Sequence, residues 1–132
     1  MNVLVVEPGL LPYDKEINGL YEMQAVVGGY ITASYPFKEP VAIVSNDEAI
    51  LMGMEFNRSI EGGYGGIFGT FFVCGLSEDS FSSLTPEQME FYKKKYHFAE
   101  ILIGARGNEP ITFKVEPKPP RHKPPKQPPK TR

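Results

Sequence analysis

Residues 20–35 read LYEMQAVVGGYITASY, and this stretch predicts a short helix that turns directly into a strand. Leu20, Met23 and Val27 recur at helical spacing and form one apolar stripe. Asn18 suits the N-cap, because its side-chain oxygen can accept a hydrogen bond from a free backbone N–H of the first turn. The glycine pair after Val27 suits a left-handed helix end, and the β-branched and aromatic residues that follow it favour a strand.

A second helix is predicted to begin near residue 86. Thr85 as N-cap and Gln88 three residues later form a capping box, with Pro86 at the first helical position. Leu84 and Met89 have the spacing of a hydrophobic staple. Apolar or alternating segments predict further strands, at residues 3–6, 13–17, 41–44, 50–54, 69–75, 101–103 and 111–115.

These elements predict a single α+β domain over residues 1–116. We expect a mostly antiparallel sheet of five to seven strands, with two helices. Residues 117–132 hold seven prolines and no aromatic or aliphatic side chain apart from those rings. Because such a segment cannot bury apolar surface, a disordered basic tail is expected there.

Charge is distributed unevenly along the chain. Residues 1–116 carry all sixteen acidic and eight basic residues, a net charge of −8, and the remaining six basic residues lie in residues 117–132. An acidic body repels nucleic acid and attracts basic surfaces, including the grooves of proteins that bind nucleic acid. The alternative is that the acidity only maintains solubility. A protein partner with a basic groove is therefore expected, with no nucleic acid bound by the body.

The sequence offers no clear targeting signal and no disulfide. A single cysteine excludes an internal disulfide, and no apolar run approaches the length of about 20 residues that a membrane helix needs. The first residues lack the basic and small-residue features of a signal peptide. A cytoplasmic protein is expected.

No catalytic set is recognisable in the sequence. Cys74 lies in an apolar run, where burial would keep its thiol inert. That cysteine and the two histidines, His97 and His122, do not have the spacing of a zinc site. No phosphate-binding or dinucleotide fingerprint occurs. We therefore expect neither an enzyme nor a cofactor.

Binding residues are predicted from charge and from a glycine-rich segment. Arg58 could bind an anion with its planar guanidinium, or form a salt bridge with a nearby acid. Tyr64 stands among four glycines and could provide a contact surface. The candidate partner- or ligand-binding residues are Asp47, Glu48, Asn57, Arg58, Glu61, Tyr64, Glu78 and Asp79.

Several short motifs together resemble a family catalogued as a domain of unknown function. The motifs include Glu7-Pro8-Gly9, Val27-Gly28-Gly29-Tyr30-Ile31, Asn46-Asp47-Glu48, Asn57-Arg58 and Gly69-Thr70-Phe71, and the resemblance covers Met1 to about Leu76. Its members look like small proteins of bacterial plasmids, conjugative elements and phages, and some look like anti-CRISPR proteins that act on Cas9. The resemblance implies no catalytic residues.

The charge pattern and the resemblance together favour one functional hypothesis. The chain is expected to be a non-enzymatic protein that binds and inhibits a host defence nuclease, a Cas9-like effector, through its acidic surface. The alternative is a small-ligand binder for a nucleotide or a nucleotide-derived immune signal, using Arg58, Tyr64 and the glycine-rich segment.

Overall fold

The computed structural model describes residues 1–121, which form an α+β fold of two helices and ten strands. Six of the strands make one antiparallel sheet, and the other four make two separate two-stranded ribbons. The predicted fold class is confirmed. In chain order the elements are β1 (Asn2–Val6), β2 (Tyr13–Glu16), α1 (Gly19–Val27), β3 (Ile31–Ser34), β4 (Val41–Asn46), β5 (Phe56–Ile60), β6 (Gly65–Phe68), β7 (Phe71–Ser77), β8 (Ser80–Ser82), α2 (Pro86–Lys95), β9 (Ala99–Arg106) and β10 (Glu109–Val115).

The main sheet is built around β7. Its strand order is β2-β1-β7-β4-β3, and β8 pairs with the end of β7. Val73 of β7 lies opposite Leu4 of β1 on one side and opposite Ile43 of β4 on the other. The predicted strands in residues 3–6, 13–17, 41–44 and 69–75 are all present, and β2 is the edge strand expected beside β1.

Both faces of this sheet are covered, which explains why its central strands are continuous apolar runs. Side chains alternate between the faces, so Val73 and Phe71 pack on one side while Phe72 and Cys74 pack on the other. The first side is covered by α2 and β5, and the second by α1. Each face therefore has a hydrophobic core of its own.

Helix α1 differs in two details from its prediction. Asn18 is the N-cap residue, but its side chain makes no capping hydrogen bond; instead its backbone N–H donates to Glu22 Oε1 at 2.7 Å. Leu20 is exposed, so only the later part of the predicted stripe reaches the core, where Val27 is buried. Gly28 ends the helix with a φ of 82°, in the left-handed conformation that its sequence predicts.

Helix α2 has the predicted capping box. The Gln88 backbone N–H donates to Thr85 Oγ1 at 3.0 Å, and the Thr85 backbone N–H donates to Gln88 Oε1 at 2.9 Å. Leu84 and Met89, the predicted staple, belong to the same buried cluster. The capping box is thus formed as predicted, and the Gln88 side chain also donates to Glu39 Oε1 at 3.1 Å.

Two predictions about local structure are wrong. Residues 50–54 form no hairpin strand but part of the turn that follows β4, and Ile50 and Leu51 are exposed there. Residues 101–103 do form a strand, within β9, but their side chains are exposed rather than buried. The reason is that β9 pairs only with β10, and this ribbon lies outside the main sheet, with β9 against β5 and β10 against β6. Strands β5 and β6 were not predicted.

Residue 118, beyond the predicted domain boundary at residue 116, makes backbone hydrogen bonds with the body. The Lys118 backbone N–H donates to the Gly9 carbonyl oxygen at 3.0 Å, and the Leu11 N–H donates to the Lys118 carbonyl oxygen at 2.8 Å. Residue 118 thus pairs with the loop after β1. The rest of the predicted disordered tail, from residue 122 onward, lies outside the described residues.

Candidate functional site

Asn57 and Arg58 are fully buried, although both were predicted to face a ligand or partner. Each has a relative exposure of 0%, in the middle of β5. Asn57 Nδ2 donates to the backbone carbonyl oxygens of Val6 and Gly69, both at 2.8 Å. Asn57 therefore joins the end of β1 to the turn before β7 and contributes nothing to the surface.

Arg58 is held by backbone carbonyl groups. Its Nη2 atom donates to Leu10 O at 2.8 Å and to Tyr96 O at 3.0 Å, and its Nε atom donates to Tyr96 O at 3.2 Å. Its Nη1 atom donates to Asn57 Oδ1 at 2.8 Å and to Glu7 O at 3.4 Å. Within residues 1–121 no carboxylate lies at salt-bridge distance from the guanidinium.

Both sequence interpretations of Arg58 are therefore corrected. The guanidinium is neither an open anion site nor half of a salt bridge, because its donors are directed at carbonyl oxygens inside the protein. Burial lowers the pKa of Arg58 to about 10, and the nearby Glu100 carboxylate opposes that shift. The small-ligand site proposed from Arg58, Tyr64 and the glycine-rich segment is not assembled by these residues.

Glu61 and Tyr64 lie together in the turn between β5 and β6, and both are exposed. Glu61 Oε2 accepts a hydrogen bond from Lys95 Nζ at 2.6 Å, which holds the pKa of the carboxyl below its usual value. The Tyr64 hydroxyl donates to the Tyr35 carbonyl oxygen at 3.3 Å. This turn is thus tied to α2 by an ion pair and to the residue after β3 by a hydrogen bond.

The remaining four predicted residues are exposed, but they form two separate groups. Asp47 and Glu48 follow the last residue of β4, whereas Glu78 and Asp79 follow the last residue of β7. Because β4 and β7 are antiparallel, the two groups lie at opposite ends of the main sheet. The structure therefore does not bring the eight predicted residues into one site.

An acidic cleft that the sequence interpretation missed lies between β2 and α1. It has a volume of about 550 Å³ and is lined in part by Glu7, Glu16 and Glu22. The Tyr13 hydroxyl donates to Glu7 Oε2 at 2.7 Å, and burial together with this carboxylate raises the pKa of the phenol. The sequence does show these three glutamates in and around β2 and α1. That they line one cleft, however, depends on how α1 packs on the sheet.

A second cleft, of about 710 Å³, includes Glu78 and Asp79 at its edge. Its other lining residues include the apolar side chains of Met23, Leu76 and Phe81. Glu78 has a positive φ of 55°, which is uncommon for a residue with a side chain and reflects the tight turn between β7 and β8. One of the two exposed acidic pairs therefore stands beside apolar surface.

Cys74 lies in the core of the main sheet, as predicted. It is buried, and desolvation raises the pKa of its thiol to about 12. In the described part of the chain, no three histidine, cysteine, aspartate or glutamate side chains are grouped closely enough to hold a metal ion.

The chain matches one protein-family model, that of a domain of unknown function, DUF3846, over residues 1–97. The chain belongs to the DUF3846 family. The match extends through α2, beyond the residues on which the resemblance rested, and ends two residues before β9. No curated protein and no solved structure matches this DUF3846 chain. Among its described helices, neither has the length and apolar character required to cross a membrane.

Proposed function

We propose that this DUF3846 protein is a non-enzymatic inhibitor that places its acidic surface in the basic, nucleic-acid-binding groove of a host defence nuclease. A Cas9-like effector is the first partner to test. The observation that carries the proposal is the charge of residues 1–90, which hold thirteen acidic and three basic residues. One of the three, Arg58, is fully buried, so that Lys15 and Lys38 are the basic side chains this part exposes.

Four of the acidic side chains are available to a partner because they are exposed. Asp47, Glu48, Glu78 and Asp79 are all exposed, and within residues 1–121 none of them forms a salt bridge. Carboxylates of this kind attract the lysine and arginine side chains that line a nucleic-acid channel, and they compete there with phosphate groups. The guide–target channel of a Cas9-type effector is strongly positive, which suits such a competitor.

The family context supports the same proposal. The short motifs between Glu7 and Phe71 resemble those of proteins from plasmids, conjugative elements and phages, for which inhibition of host defence is a common task. Inhibition by occupying a groove needs no reactive residues in the inhibitor. The proposal therefore requires only that the acidic surface be presented on a stable scaffold, and the two-sided core provides that scaffold.

Binding and DNA cleavage assays with purified partners test the proposal. The full chain is expected to bind a Cas9-type effector and to reduce its cleavage of target DNA, with an affinity that falls as salt is added. Failure to bind such an effector, or cleavage that proceeds unchanged, would refute it.

Matched charge variants identify which part of the surface acts. The variants Asp47→Asn/Glu48→Gln and Glu78→Gln/Asp79→Asn each remove two exposed charges, from opposite ends of the main sheet. The control Glu87→Gln/Glu90→Gln removes two exposed charges from α2. We expect one of the first two variants to weaken binding at least tenfold more than the control. Equal effects of all three would mean that only net charge matters, without a defined surface.

A further inference from the structure

The ribbon of β9 and β10 has one face against the body and one face open. Glu100 lies on the covered face, where its Oε1 atom accepts hydrogen bonds from Ser59 N at 3.0 Å, Ser59 Oγ at 2.8 Å and Thr112 Oγ1 at 3.0 Å. Successive side chains of a strand point to opposite faces. Ile101, Ile111 and Phe113, which are sequence neighbours of Glu100 or Thr112, therefore point away from the body, whereas Ala99 at the start of β9 is buried.

The open face is apolar. Ile101 and Phe113 lie directly opposite each other in the register. Ile111 lies two residues before Phe113 and therefore on the same face. A β-bulge between residues 111 and 112 of the register places Ile103 beside Ile111. The relative exposures of Ile101, Ile103, Ile111 and Phe113 are 52%, 55%, 40% and 61%. A contiguous apolar face on a two-stranded ribbon is typical of an interaction surface.

The ribbon is electrically neutral, unlike the rest of the described body. Residues 99–115 contain two acidic and two basic residues. In the strand register Glu100 lies opposite Lys114, and Glu109 lies opposite Arg106. Residues 1–98 contain thirteen acidic and six basic residues, a net charge of −7. A cationic groove would therefore be attracted to the body rather than to the ribbon.

A second copy of the same chain fits this distribution. Two copies that met through their acidic surfaces would repel each other, whereas two neutral ribbons would not. The tip of the ribbon carries Arg106 beside Glu109, so that a copy related by two-fold symmetry finds both signs of charge there. In a two-fold contact the same patch is buried on both subunits, which doubles the apolar surface removed from water.

We infer that the open face of the β9–β10 ribbon is a self-association surface, through which Ile101, Ile103, Ile111 and Phe113 of two copies pack together in a symmetric dimer. The family match ends at residue 97, before the ribbon begins. Self-association is therefore a property of the segment that follows the family domain, and it is separate from the acidic surface proposed to bind a nuclease.

Sedimentation velocity of the full chain tests the inference. As the concentration of the wild-type protein is raised, the mass of the sedimenting species is expected to increase from that of one chain to that of two. The variant Ile103→Thr/Phe113→Thr places threonine, which favours strands, at both positions and removes two of the four apolar groups, and it should remain a monomer. The control Tyr21→Thr/Leu51→Thr removes two large side chains that are even more exposed, from elsewhere on the surface, and should dimerise like the wild type.

Hydrogen exchange on the wild-type protein gives a second test that needs no substitution. The backbone amides of β9 and β10 should exchange at least tenfold more slowly as dimers form, while the exposed turn at residues 47–53 should exchange at an unchanged rate. A wild-type protein that stays monomeric at all concentrations would overturn the inference. So would a ribbon variant that dimerises as strongly as the wild type, or a control variant that does not dimerise.

Discussion

Arg58 donates two hydrogen bonds to one acceptor, the backbone carbonyl oxygen of Tyr96, from Nε at 3.2 Å and from Nη2 at 3.0 Å. Tyr96 is the C-cap residue of α2, so the buried guanidinium lies at the negative end of that helix. The favourable field of the helix end and the carbonyl oxygens offset part of the cost of removing this cation from water. Arg58 thereby fixes α2 to β5 without a carboxylate partner.

Replacing Arg58 with leucine should therefore destabilise the fold severely. The carbonyl oxygens of Tyr96 and Leu10 would lose buried donors, and we expect the free energy of unfolding to fall by about 3 kcal/mol or more. Urea denaturation measures this change. The control Lys38→Leu, at an exposed position, should alter the free energy by less than about 0.5 kcal/mol. An Arg58→Leu protein with the wild-type unfolding midpoint would contradict the assigned role.

The glycines of the ribbons should differ in their tolerance of alanine. A Cβ atom at Gly66 would lie 2.5 Å from Phe56 Cε1, whereas a Cβ atom at Gly104 would meet nothing within 4 Å. We expect Gly66→Ala to cost about 1–3 kcal/mol of stability through overpacking. Gly104→Ala should be neutral or slightly stabilising, since alanine has less backbone freedom to lose. Thermal unfolding of the two variants makes the comparison, and equal midpoints would show that Phe56 is not fixed in place.

The Cys74 thiol should react only when the protein unfolds. It is fully buried, and its pKa is raised to about 12, so that very little thiolate is present near neutral pH. Mass spectrometry after treatment with iodoacetamide should show an unmodified native protein and a singly modified protein in denaturant. Rapid modification of the native state would mean that the core around β7 opens readily.

The ion pair of Glu61 with Lys95 should give a small pH-dependent contribution to stability. Because the pKa of Glu61 is lowered from 4.5 in the folded state, the unfolded state takes up a proton first as the pH falls. The contribution is therefore complete above pH 4.5 and is lost below it. Glu61 is largely exposed, so Glu61→Gln should cost less than about 1 kcal/mol at neutral pH.

Urea denaturation of the wild-type protein and of Glu61→Gln, at neutral pH and well below pH 4.5, measures this contribution. The difference between the two proteins should shrink at the lower pH, and added salt should reduce it at neutral pH. A difference that grows on acidification would contradict the assignment.

The core of the fold could be predicted because its signals are local. The runs at residues 3–6, 41–44 and 71–74 are apolar at every position, which predicts burial on both faces of a sheet, and helices do cover both faces. The second helix was equally clear, since Thr85 and Gln88 satisfy each other within one turn. The signals for these elements can be recognised without knowledge of their distant partners.

What could not be predicted depends on distant contacts. Strand β5 contains Asn57 and Arg58, and polar residues do not suggest a buried strand unless their partners are known. Those partners come from β1, from the loop after it and from the end of α2, up to 51 residues away. Conversely, Ile101 and Ile103 resemble core residues, but the chain supplies no described element to cover their side of the ribbon.

The same limit applies to the candidate binding residues. The two acidic pairs were expected to be exposed. The positions of charged residues in the sequence do not reveal, however, that Asp47 and Glu78 lie at opposite ends of one sheet. Likewise, the cleft that contains Glu7, Glu16 and Glu22 forms only when α1 packs beside β2.

The pairing of Lys118 with the loop after β1 has a mechanical consequence. Lys118 bonds to Gly9 and Leu11, the residues on either side of Leu10, whose carbonyl oxygen accepts from Arg58. Tension applied to the chain beyond this point is thus transmitted to the loop that holds the buried guanidinium and, through it, to the end of α2.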